Sequence, residues 1–146
     1  MRSRPPEPWA GQPLSAPPDG AEVLRYESSL GSVRSFTASR ARRAGLPPDR
    51  VEDLVIAIAE LAANTLAHTS GHGEVTFWVT ADEVVCQVQD QGEISDPLAG
   101  QARPAPDAPG GGRGLWLVRE VCDHVDIRTG QAGTTVRVHM RRGAGR

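Results

Sequence analysis

Between residues 49 and 67 apolar side chains return at the period of an α-helix. Val51, Leu54, Val55, Ile58, Leu61, Ala62 and Thr65 fall on one stripe. Asp49 is a favourable N-cap, and Glu52 three residues later completes a capping box. The spacing therefore predicts a long amphipathic helix. Upstream, Leu30, Val33, Phe36 and Thr37 share that period, behind Ser28 and Ser29 and ahead of Gly45 and Pro47, which predicts a second helix. After Gly71 and Gly73 the period drops to two. Val75, Phe77 and Val79 alternate with Thr76, Trp78 and Thr80, and Val84, Cys86 and Val88 alternate with Val85, Gln87 and Gln89, predicting a hairpin that turns at residues 81–83. Val23, Leu24 and Tyr26 predict a short edge strand. A short helix is expected from Leu115 to about Cys122, a strand at Val125 and Ile127, and a last strand through Val136, Val138 and Met140. Helices interspersed with antiparallel hairpins imply an α+β fold, a two-layer α/β sandwich with helices on one face of a mixed, mainly antiparallel sheet.

The ends and one internal stretch escape these periods. Six prolines lie between Pro5 and Pro18, so residues 1–20 are expected to be a disordered proline-rich arm. Residues 21–141 then form the domain, and 142–146 a flexible tail. Residues 91–113 are rich in proline, glycine and alanine without periodicity, as in a lid.

Composition narrows the chemistry. All 16 basic residues are arginine, which removes a Walker A phosphate loop, a Schiff-base lysine and a protein-kinase strand lysine. A net charge of −2 argues against a dedicated nucleic-acid binder. Cys86 and Cys122 sit singly in apolar runs, so neither a disulfide framework nor a zinc site is supported. They read as core residues of a reducing cytoplasm. No apolar run near the N-terminus suits a signal peptide or a membrane span, so a soluble cytoplasmic protein is expected.

Several polar residues sit where their neighbours are apolar. On a helical wheel Glu60 and Asn64 project together, one turn apart and away from the stripe centred on Ile58. A solvated face would explain them, but Ile56, Ala57 and Ala63 make that side poorly polar. Asp90 keeps the parity of Val84, Cys86 and Val88, so it points inward at a strand end or caps the turn begun by Gln91 and Gly92, and spacing favours neither. Gly110, Gly111, Gly112, Arg113 and Gly114 run straight into the short helix. They make either an anion cradle of bare amides or a plain linker. Thr134 shares the parity of Val136 and Val138; alone it reads as a good strand residue. His68 and His72 are four apart, but Ser70 and Gly71 lie between them where the helix ends, and no Glu occupies position 69, so a metalloprotease motif is absent.

Taken in order, Glu60-Leu-Ala-Ala-Asn64, Asp90-Gln-Gly92, Gly112-Arg-Gly114-Leu-Trp-Leu117 and Gly133-Thr-Thr-Val136 resemble the four boxes of the Bergerat-fold (GHKL) ATPases, the superfamily of gyrase and the histidine kinases. The resemblance covers residues 22–141, and the small size is most similar to the anti-sigma-factor serine/threonine kinases of actinomycetes. It implies that Asn64 binds Mg²⁺ and that Glu60 is the general base. Asp90 would accept from the adenine amino group, beside Gly92, with Thr134 supporting it. The backbone of Gly112, Gly114 and Leu115, assisted by Arg113, would meet the triphosphate of ATP. The first box departs from the usual DxGxG by placing Ile94 where the second glycine stands. The activity implied is phosphorylation of a serine or threonine on an antagonist (anti-anti-sigma) protein, together with sequestration of a sigma factor. A homodimer is implied by resemblance alone; nucleic acid and membrane are not expected partners. The alternative is a non-catalytic ATP-binding switch that regulates a partner through nucleotide-dependent binding.

Overall fold

The computed structural model describes residues 14–27, 29–68, 72–90, 112–130 and 133–142. Strand β1 (Glu22–Tyr26) is followed by helices α1 (Leu30–Arg43) and α2 (Pro48–His68), strands β2 (Gly73–Val79) and β3 (Glu83–Asp90), helix α3 (Gly112–Val121), and strands β4 (His124–Gly130) and β5 (Gly133–Arg141).

Local chemistry sets the helix ends. Ser29 caps α1, its Oγ accepting from the Ser32 amide at 3.3 Å. Past the C-cap Ala44, Gly45 takes a φ of +91°, the left-handed conformation that ends a helix and that glycine adopts without penalty. The start of α2 differs from the expected Asp49 cap. Pro48 is its first residue, and the Pro47 carbonyl accepts from the amides of Arg50 and Val51, both at 2.9 Å. Proline suits the first helical position because its fixed φ is already helical and no amide is lost there. Asp49 keeps a role within the first turn, a negative charge at the positive end of the helix dipole.

The sheet runs β1-β2-β3-β5-β4, and every described pairing is antiparallel, simpler than the mixed sheet expected. Its register aligns the inward rows: Val75 faces Val88, Phe77 faces Cys86, Cys86 faces Val138 and Val136 faces Ile127. Onto these pack Val33 and Phe36 of α1, Leu54 and Ile58 of α2, and Leu115 and Val118 of α3, one continuous core between the layers. Each fully buried side chain of this size contributes about 1.5–3 kcal/mol. Cys86 and Cys122 belong to that core, and burial pushes the Cys122 thiol up to about 12 and the Cys86 thiol higher still, so neither is a ready nucleophile. No helix among the described residues is long and apolar enough to cross a membrane.

Arg50 joins the helices that position the site. Its guanidinium reaches Asp53 at 2.8 Å, the Val121 carbonyl at the end of α3 at 3.0 Å, and Asp123 at 3.3 Å. This places the C-terminus of α3 beside the first turns of α2.

Candidate nucleotide site

At its other end α3 meets Glu60 and Asn64, so the two helices run antiparallel and three residues of the sequence reading, Glu60, Asn64 and Gly114, are brought to one place. Gly114 lies against both α2 side chains. A Cβ built there would stand 3.2 Å from Glu60 Oε1, 3.5 Å from Asn64 Nδ2 and 3.9 Å from Asn64 Oδ1. The missing side chain is therefore what lets a carboxylate and an amide sit at the first turn of α3. Glu60 and Asn64 are half-buried, as expected of groups lining a cleft rather than standing in bulk water.

Helix α3 begins at Gly112, three residues earlier than the sequence pattern predicts, so Gly112, Arg113, Gly114 and Leu115 form its first turn. Their amides have no carbonyl acceptor one turn back within the helix, and they carry the positive end of its dipole. The Leu115 side chain is buried in the core with Val118, which fixes α3 on α2 and leaves Leu115 only its amide to offer. The Arg113 side chain lies outside the described residues.

Asp90 and Thr134 are the second group. They face each other across β3 and β5 on the helix-facing side of the sheet, Thr134 buried and Asp90 half-buried. This is the inward placement that spacing alone left open. Gly92, Ile94 and the expected lid lie outside the described residues, as does the chain linking this pair to α3.

A cleft of about 380 Å³ opens at the ends of β1, β2 and β3, lined by Arg25, Glu27, His72, Gly73, Glu74, Gln89 and Asp90. Of the expected site residues, Asp90 alone reaches it. The sequence reading missed Gly73, where a Cβ would stand 2.7 Å from Tyr26 Oη and 2.8 Å from the Gln89 carbonyl oxygen, so glycine is required for Tyr26 to pack under the strand end. The available signal was a glycine opening a strand, which marks close approach. Among the described residues no cluster of three or more His, Cys, Asp or Glu could hold a metal ion. The donor set at Glu60 and Asn64 instead offers a carboxylate and an amide oxygen beside bare amides. Hard oxygen donors of this kind suit Mg²⁺ shared with phosphate oxygens.

A sequence profile described as the histidine kinase-like ATPase domain matches residues 24–140. The serine-protein kinase RsbW of Halalkalibacterium halodurans is 31% identical, with 68% of each chain covered. The proteins of that name from Bacillus velezensis and Bacillus subtilis are 32% and 29% identical, each match covering 73% of this chain and 74% of the relative. The profile spans nearly every element of the sandwich, from β1 to β5, and encloses the Glu60–Asn64–Gly114 corner and the Asp90–Thr134 pair. The chain belongs to the histidine kinase-like ATPase family.

Proposed function

We propose that this chain is a serine/threonine-protein kinase that takes ATP and Mg²⁺, phosphorylates an antagonist protein and sequesters a sigma factor. The observation that carries the reading is the contact of Gly114 with Glu60 and Asn64, which puts a carboxylate and an oxygen ligand at the amide-rich start of a helix. The serine-protein kinase relatives support the reaction class, and the resemblance of the four boxes supports the partners.

Bound there, ATP supplies the γ-phosphoryl group and Mg²⁺ neutralises its charge. The rest falls to the chain. Asn64 Oδ1 is the protein's ligand for the ion, while the amides of Gly112, Arg113, Gly114 and Leu115 donate to phosphate oxygens. Asp90 accepts from the adenine amino group, and Thr134 opposite holds its carboxylate in place. Glu60 Oε1 accepts the proton of the acceptor hydroxyl as its oxygen bonds to the γ-phosphorus and the bond to the ADP oxygen breaks. Phosphoryl transfer asks mainly for this positioning and charge stabilisation, which is why so small a domain suffices.

Incubating the chain with γ-labelled ATP and the antagonist tests the reading. Label on an antagonist serine or threonine is the expected result. Nucleotide-dependent binding with no transfer would instead establish the switch.

A further inference from the structure

In a two-layer sandwich, the sheet face turned away from the helices meets water, and its side chains should be exposed. Here they are not. Thr76, Val85, Gln87, Asp126 and Arg137 alternate with core residues along β2, β3, β4 and β5 and so point outward, yet all are buried, Arg137 to 6% exposure. A buried cation needs an explanation more than a buried valine does.

One contact on it comes from the chain ahead of β1. Arg137 donates through Nη2 to the Ser15 carbonyl oxygen at 2.7 Å and through Nη1 to Ser15 Oγ at 3.2 Å. Its Nε donates to Gln87 Oε1 at 2.9 Å, and its guanidinium carbon lies 4.9 Å from the centroid of the Trp78 ring. Trp78, Gln87 and Arg137 belong to β2, β3 and β5, so Ser15 sits over the middle of the sheet. Ala21, where the segment joins β1, is at the edge; its amide donates to the Pro18 carbonyl at 3.0 Å in a turn. The three strand spacings from β1 to β5 amount to about 14 Å. The six residues from Ser15 to Ala21 reach about 20 Å when extended, enough to cross that distance, and Pro17 and Pro18 hold part of the path open.

Charge makes the contact specific. Among the described residues no carboxylate lies within ion-pair distance of Arg137; its acceptors are the neutral oxygens of Gln87 and Ser15. Removing Ser15 would leave two buried donors of a cation without partners, which is penalised more than a missing surface contact.

We infer that residues 14–20 are a strap docked across the outer face of the sheet, and that Arg137, Gln87 and Trp78 form a socket for an extended serine-containing segment, filled here by the chain's own Ser15. A partner can use this face only by displacing the strap. The inference is independent of the nucleotide site.

Nuclear magnetic relaxation on the full ¹⁵N-labelled chain tests it. The Ser15 and Ala16 amides should show order parameters near 0.85, as rigid strands do, and fall below about 0.6 in Arg137→Gln. Nuclear Overhauser contacts from Ser15 to the Trp78 ring are expected in the wild type. Order parameters below about 0.6 at Ser15 in the wild type, no change in the variant, or contacts seen only between differently labelled chains would each overturn the strap. Should Arg137→Gln fail to fold, the wild-type order parameters and contacts decide.

Discussion

At the scale of single residues, the site depends on an atom that is absent. Any side chain at Gly114 competes for space with Glu60 Oε1 and the Asn64 amide. Gly114→Val should therefore lower ATP affinity at least about tenfold, equivalent to about 1.4 kcal/mol, while circular dichroism stays that of the folded chain; calorimetric titration checks it. In the proposed site, Asp90→Asn acts at the adenine end of the nucleotide. It replaces a pure acceptor with a group that also presents a donor, and the lost charge-assisted bond is worth about 1.5–3 kcal/mol. Adenine nucleotides should weaken accordingly in the same titration, whereas Thr134, beneath Asp90 in the register, stays in place. The residue types at these positions were legible in the sequence because parity and helical period assign a side to each side chain. The approach of Gly114 to Glu60 was not, since the 53 positions between them in the chain carry no signal of distance.

At the scale of elements, the strongly periodic segments all formed where hydrophobic spacing placed them, because burying one stripe or one alternating row admits only one orientation of each element. Boundaries followed finer chemistry. Asp49 and Pro48 each offer a local way to begin α2, and the Pro47 carbonyl decided for the earlier one. The link between α2 and α3 is tertiary and was invisible in the sequence. Arg50 belongs to no motif there, yet it closes the end of α3 through the Val121 carbonyl and pairs with Asp53 and Asp123. Partly exposed pairs contribute little, and the carbonyl bond adds about 1 kcal/mol. Arg50→Ala should thus cost about 1–2 kcal/mol in urea unfolding. It should also weaken ATP, because α3 would no longer be held at the end opposite its amide-bearing turn.

At the scale of the whole molecule, the outer face of the sheet links stability to pH. His139 on β5 bonds Glu83 of β3 through Nδ1 at 3.0 Å and lies 3.4 Å from Asp126 of β4, which also receives His124 at 3.0 Å. The Asp126 carboxylate beside Nε2 raises the His139 pKa, and Glu83 adds to this against the opposing effect of burial. Burial pushes the Asp126 carboxyl up, but His139 and His124 outweigh it and hold the group below its ordinary value. A raised histidine stabilises the fold fully below its unfolded pKa of about 6.5, and that contribution is lost as pH rises through the folded value. Asp126 acts in the opposite sense, its contribution lost only in acid. The unfolding midpoint of the wild type should therefore exceed that of His139→Gln by more at pH 6 than at pH 8; an equal margin would remove the cluster from the pH response. Alternation with the core rows turns Asp126 and Arg137 to the outer face, and only the assembled sheet, with Ser15 over Arg137, shows these two buried. Whether the assembled molecule is an enzyme rests on Glu60, and the most direct measurement compares binding with chemistry in Glu60→Gln. The account predicts ATP affinity close to that of the wild type and transfer to the antagonist slower by about 10²-fold or more. Transfer at the wild-type rate, or loss of ATP binding in step with transfer, would contradict it.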